Sequence, residues 1–121
     1  MLEELRLGVI EGRFADIVWN HAPITTGELV KICERELGWK RTTTYTVLKR
    51  LSERGLFKNE NGTVIVLMTK EEYNSIQSEK VVEDNFGGSL PAFISAFVTK
   101  RELCDDEIEE ILKIIENMKR G

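Results

Sequence analysis

The stretch Trp39-Lys40-Arg41-Thr42-Thr43-Thr44-Tyr45-Thr46-Val47-Leu48-Lys49-Arg50-Leu51 reads as a two-faced helix. At about 100° per residue, Thr44, Val47, Leu48 and Leu51 fall at i, i+3, i+4 and i+7 and form one apolar stripe. Thr42, Tyr45, Thr46 and Lys49 point the other way, with Thr43 and Arg50 on the flank. Hydroxyls and cations on such a face reach phosphates, an arginine takes guanine through two hydrogen bonds, and threonine methyls touch thymine. A single helix also fits the width of a major groove. The same composition describes a solvated cationic surface, so the neighbouring segments decide between the two.

Upstream, Leu7, Ile10, Phe14, Ile17 and Val18 keep a helical stripe from about Leu5 to Asn20, closed by Trp19. His21-Ala22-Pro23 breaks it, because proline disfavours helix in the residue before it. Thr25-Thr26-Gly27-Glu28 then has the form of a capping box. It predicts a helix over about 26–37 that buries Leu29, Ile32, Cys33 and Leu37 and stops at Gly38. Only a few residues separate it from the helix quoted above, which makes a helix-turn-helix. Downstream, Gly55 ends that helix and Leu56-Phe57-Lys58 predicts a short strand. Asn59-Glu60-Asn61-Gly62 is a hairpin turn, and Thr63 to Met68 a β-branched return strand. The order helix, helix, helix, hairpin is that of a winged helix, with the hairpin as the wing.

The remaining chain predicts three helices. Thr69 caps the first, which runs to about Asp84. Asn85-Phe86-Gly87-Gly88 is a hinge, and Ser89 caps a second helix with Pro91 in its first turn. That helix is apolar nearly all round, through Leu90, Ala92, Phe93, Ile94, Ala96, Phe97 and Val98. The third starts near Asp105 and carries Ile108, Ile111, Leu112, Ile115 and Met118 as a stripe, with acids at its start and Lys119-Arg120 at its end. Three helices cannot readily bury this much apolar surface on themselves, and monomers do not tolerate a patch of that size. Packing against the mate in a symmetric dimer solves the problem, and folding back onto the winged helix is the other solution.

The composition bounds the functional class. A chain of 121 residues, 41% hydrophobic and 31% charged, supports one domain or one small domain with an association segment. No apolar run approaches the ~20 residues of a membrane span, and MLEELRLGV lacks a signal peptide's apolar core, so a cytoplasmic location is expected. The net charge of −4 is unevenly spread. From Trp39 to Lys58, six cations oppose Glu53 alone, a local charge of +5; from Glu71 to Glu110, eleven acids oppose three cations, a local charge of −8. A cationic footprint joined to an acidic segment suits a DNA-reading module attached to one that does not touch DNA. Cys33 sits on a helical stripe as a core thiol, and two cysteines make neither a disulfide framework nor a metal set. His21 is the sole histidine, and no nucleophile triad, HExxH or phosphate-binding glycine loop occurs. No catalytic residue, metal site or cofactor is expected, and the chain does not read as an enzyme.

Taken together, Ile17-Val18-Trp19, Ile24-Thr25-Thr26, Trp39…Thr43…Thr46…Leu48…Arg50-Leu51, Gly55 and the short wing resemble the BlaI/MecI penicillinase-repressor family. The tail Gly87-Gly88…Phe97-Val98…Leu103…Asp106-Glu107-Ile108-Glu109-Glu110 extends the resemblance over essentially the whole chain. The resemblance implies a dimeric repressor on a palindromic operator of a β-lactam-resistance or related stress operon. It also implies release by a regulatory protease that cuts in the dimerisation part, at a bond that falls on Ala96-Phe97. Phe97 matches the family's Asn-Phe pair and Ala96 departs from it. Thr43, Thr46 and Arg50 match the family's recognition-helix pattern, whereas Thr42 and Tyr45 replace a lysine and a longer polar residue. Cys104 stands where the family has a serine cap, and the cysteine cluster of the copper-sensing branch is missing.

The expected architecture is mainly α with a small β-hairpin wing: a winged helix-turn-helix over 1–69 and a three-helix dimerisation domain over 70–121. Thr42, Thr43, Thr46 and Arg50 are expected to read bases, with Lys40, Arg41, Tyr45, Lys49 and Lys58 on phosphates of double-stranded DNA. Leu90, Phe93, Ile94, Phe97, Ile108, Ile111, Leu112 and Ile115 are expected to form the homodimer contact. Two other readings fit the same residues: a winged helix that docks a protein partner, and a repressor released by a small molecule rather than by proteolysis.

Overall fold

A computed structural model describes residues 6–120, which divide into two compact units between Lys80 and Val81. The first is a winged helix-turn-helix. Its elements are α1 (Val9–His21), β1 (Ile24–Thr25), α2 (Thr26–Leu37), α3 (Arg41–Glu53) and the hairpin β2 (Phe57–Glu60) with β3 (Thr63–Val66). Helix α4 (Lys70–Phe86) runs from the first unit into the second, which adds α5 (Leu90–Lys100) and α6 (Asp105–Arg120).

Helix α1 begins later than its apolar spacing predicts. Leu5 lies outside the described residues, and Gly8 is the N-cap, its N–H bonded to the Glu11 carboxylate at 3.3 Å. Ile10, expected on the buried stripe, is 51% exposed. The buried face of α1 is instead Phe14, Ala15, Ile17 and Val18. Thr25 caps α2 by accepting from the Glu28 N–H at 3.2 Å. Leu29, Val30 and Cys33 are buried on that helix, with Ile32 and Leu37 packed at the margin of the core. Gly38 closes α2 in the left-handed region at φ 69°. The same closure takes the Trp39 N–H to the Cys33 carbonyl, at 3.3 Å. Trp39 is thereby tied to the end of α2 rather than to α3, and its ring stacks on Phe14 at 5.6 Å. For that reason α3 starts at Arg41, two residues after the predicted start.

Thr44, Val47, Leu48 and Leu51 are all buried, as their spacing requires. Burying Val47, Leu48 and Leu51 contributes roughly 1.5–3 kcal/mol each. They meet Phe14, Val18, Leu29, Leu56, Phe57 and Val64 in one core. Trp19 crosses Phe57 edge-on at 5.7 Å and donates its indole N–H to the Met68 carbonyl at 2.9 Å. The start of α4 joins the same core: Tyr73 packs beside Trp19, and its hydroxyl accepts from the Leu7 N–H at 2.9 Å.

The wing is tighter than predicted. Asn59 and Glu60 are strand residues, and the turn itself is Asn61-Gly62, at φ 53° and 90°, a conformation that Asn-Gly tolerates well. The return strand stops at Val66, short of Met68. A third strand, β1, pairs antiparallel with β3 (Ile24 opposite Val64, Thr25 opposite Thr63) and gives the order β1-β3-β2. Two residues are too few to show a period of two, so β1 leaves no pattern in the sequence.

In the second unit, α4 extends through Asn85 and Phe86, which were expected in a hinge; the break falls on Gly87 and Gly88 alone, at φ 56° and 83°. Thr69 and Glu72 form a reciprocal capping box at the start of α4 (3.1 and 3.0 Å). Ser89 caps α5 through the Ala92 N–H at 3.1 Å. Phe86 meets Phe93 edge-on at 5.4 Å. Helices α5 and α6 nevertheless contain no buried residue.

One core atom is poorly served. The Thr44 hydroxyl is buried with no strong hydrogen-bond partner, only the weakly bonding Cys33 thiol beside it, whose pKa burial pushes up. An unsatisfied buried hydroxyl costs about 1–3 kcal/mol. Thr44→Val should therefore hold or raise stability, while Leu51→Ala should lose about 2–5 kcal/mol; urea denaturation measures both. A thiol reagent should modify the exposed Cys104 rapidly in the folded protein and Cys33 only on unfolding, which reagent absorbance would follow.

Candidate nucleic-acid interface

Because the stripe of α3 is locked into the core, its opposite face is held outward on a rigid element. Lys40, Arg41, Thr42, Thr43, Thr46, Lys49 and Arg50 are all exposed. The Thr46 hydroxyl donates to the Thr42 carbonyl one turn back at 2.8 Å. That commits the hydroxyl proton and leaves the oxygen able to accept. Tyr45 is the exception on this face. It is half-buried, the Arg41 guanidinium lies 5.5 Å from its ring centre, and its hydroxyl is paired with Thr26 at the start of α2. That hydroxyl contact, with the Arg41 charge behind it, draws the Tyr45 phenol below its ordinary pKa. Arg41 and Tyr45 thus make one stacked pair that links α3 to the head of α2.

The wing residue Lys58 does not sit on α3. It is exposed on β2 and forms an ion pair with Glu60 two residues on, at 3.3 Å. Lys40, Arg41 and Lys49 have no carboxylate partner among the described residues.

Arg50 has one that the sequence did not announce. Its Nη1 donates to Glu11 Oε2 at 3.1 Å, and Arg54 Nη1 reaches Glu11 Oε1 at 3.4 Å. Arg54, counted in the sequence only as part of a cationic run, is therefore half-buried against α1. Burial by itself would push the Glu11 carboxyl up. The Gly8 N–H, the Arg50 hydrogen bond and the charges of Arg54 and Arg50 together outweigh it and hold the pKa below the ordinary glutamate range. Partners 39 and 43 residues apart in the chain leave no local spacing signal.

No three His, Cys, Asp or Glu side chains gather as a metal ion would need, and no helix is long and apolar enough to cross a membrane, among the described residues. The profile of the penicillinase repressor family matches residues 7–117, through both units. The chain belongs to that family. It is 27% identical over 107 residues to the penicillinase repressor of Bacillus licheniformis, which covers 85% of this chain and 84% of that protein. It is 22% identical over 109 residues to the methicillin resistance regulatory protein MecI of Staphylococcus aureus (strain Mu50 / ATCC 700699), covering 87% and 89%. The MecI protein of Mammaliicoccus sciuri is 21% identical over the same length. The role of the penicillinase repressor family is transcriptional repression, and the BlaI/MecI resemblance of the sequence holds across the whole match.

The lowered Glu11 pKa makes a stability statement. A carboxyl whose folded pKa lies below its unfolded value contributes its full stabilisation above the unfolded pKa and loses it as pH falls through the folded one. Stability of the wild type should fall more steeply on acidification than that of Glu11→Gln, by denaturant unfolding stepped from neutral into acid. Parallel curves would show that the cluster carries no pH-linked stability.

Proposed function

We propose that the protein is a homodimeric repressor that binds a palindromic operator in double-stranded DNA with α3 in the major groove. The observation that carries the reading is the α3 face itself: three cations and three threonines exposed on a helix whose other side is locked into the core. Thr42, Thr43, Thr46 and Arg50 read base edges, and Lys40, Arg41, Lys49 and, from the wing, Lys58 hold phosphates. Tyr45 acts on a phosphate through the arginine it stacks with. In this division, residues 1–69 bind DNA and 70–121 dimerise. The protein acts in the cytoplasm, and its operator controls a β-lactam-resistance or related stress operon, in keeping with the names of its relatives.

The dimer is supported by what α5 and α6 leave uncovered. Phe97, Ile108 and Ile115 are each about two-fifths exposed, and Leu90 and Leu112 about half. Together with Phe93, Ile94 and Ile111 they present an apolar surface that water would not tolerate at this size. A second copy applied through a two-fold axis covers it and doubles the DNA contact, one half-site per protomer. A regulatory protease acting at Ala96-Phe97 would meet a bond in the middle of α5, so cleavage requires that helix to open. The apolar groove of about 460 Å³ between α5 and α6 favours a second route of release, by a small apolar molecule that competes with the mate.

Selection from random duplexes by anisotropy at two salt concentrations tests the DNA reading. A palindromic site should be enriched, with steep salt dependence. Weak binding that ignores sequence would instead favour a protein-docking module. On the enriched site, Arg50→Ala should cost about 1–3 kcal/mol and relax the preference at one base pair. Lys49→Ala should weaken all duplexes alike and reduce the salt slope by about one. Phe97→Glu should convert the dimer to monomer in sedimentation; an unchanged mass would remove the proposed interface.

A further inference from the structure

Glu11 is an acid on α1 placed against the cations Arg50 and Arg54 at the end of α3. Its side chain is only 19% exposed. Its carboxylate takes three donors: the Gly8 N–H at 3.3 Å, Arg50 Nη1 at 3.1 Å and Arg54 Nη1 at 3.4 Å. The Gly8 contact belongs to the first turn of α1, so the anion is anchored to backbone. Arg50 is half exposed. Only its Nη1 is engaged, and its remaining donors have no other protein acceptor among the described residues. We propose that Glu11 is a specificity-determining positioning residue, which holds the Arg50 guanidinium in one orientation so that its free donors read a guanine. The inference rests on α3 being the DNA-reading helix.

Two effects follow from that geometry. An arginine already held in place loses less rotamer freedom when it docks on a base, so the correct contact is strengthened. A half-buried carboxylate near the bound phosphates also weakens binding to every duplex alike, and only the correct guanine offsets it. Glu11 thus widens the gap between the right sequence and all others at some expense of general affinity. Glu11→Gln keeps the side-chain size and an acceptor for the Gly8 N–H while removing the charge. It should bind random duplexes more tightly with a steeper salt slope, and the ratio of selected to random affinity should fall about fivefold or more.

The test compares wild type, Glu11→Gln, Arg50→Ala and the double variant by anisotropy on the duplex that selection enriches and on a random-sequence pool, with thermal melting alongside. The ratio should drop in Glu11→Gln, and the drop should vanish in the Arg50→Ala background, where no guanidinium remains to be positioned. Arg54→Ala leaves the Glu11–Arg50 contact in place and should keep the ratio, which supplies a second readout if Glu11→Gln melts early. An unchanged ratio in Glu11→Gln overturns the inference. So does an equal drop in the Arg50→Ala background, or a matching drop in Arg54→Ala; any of these makes Glu11 a cap and structural tie only. A wild type that enriches no duplex overturns the DNA reading and this inference together, whereas enrichment that Glu11→Gln reproduces unchanged overturns the inference alone.

Discussion

Burial of four side chains on α3 is the constraint on which the rest of the first unit depends. Thr44, Val47, Leu48 and Leu51 go into a core that α1, α2 and the wing close from the other sides. The helix cannot rotate by even one residue without exposing part of that stripe and bringing a lysine or threonine inward, which would cost several kcal/mol. Its outer face is therefore as rigid as the core. Rigidity matters for reading bases, because a side chain held on a packed helix reaches a base edge with less loss of freedom than one on a loop. The wing and β1 serve the same end: β3 lies between β2 and β1, and Leu56, Phe57 and Val64 fill the space beneath α3.

The second unit follows an opposite logic. Its helices are well capped, by Ser89 on α5 and by the acids of the first turn of α6, so local structure is secure. What is missing is a core of its own, since apolar residues amount to most of α5 and a full stripe of α6 while none is buried. Secure helices with uncovered apolar faces suit a component that completes itself by association. Under the proposed dimeric reading, anything that opens α5 or occupies its groove would act on two half-sites at once.

The charge pattern reads differently once tertiary pairs are known. The cationic run across α3 and the wing is reduced locally by Glu11 on Arg50 and Arg54 and by Glu60 on Lys58. The cations left without carboxylates among the described residues, Lys40, Arg41 and Lys49, lie at the N-terminal end and middle of α3. Along α3 the paired Arg50 therefore directly follows the unpaired Lys49, a distinction that charge counting in the sequence does not make.

Local patterns were enough to determine most of the architecture. Spacing of apolar residues marked α2, α3 and α6. Thr25, Ser89 and Gly38 marked helix ends through hydrogen bonds made within a few residues, and Asn61-Gly62 marked the wing. The exposed side of α3 was legible for the same reason, since a helix with one buried stripe has its other face decided by geometry alone. The tertiary structure decided whatever depends on partners far apart in the chain. Trp39 left α3 because the closure of α2 and the ring of Phe14 claimed it, and β1 became a strand because β3 came alongside. Above all, Glu11 met Arg50 and Arg54 across 39 and 43 residues. Long-range ion pairs carry no periodicity, so only folding could show that a residue at the start of α1 holds two arginines at the end of α3.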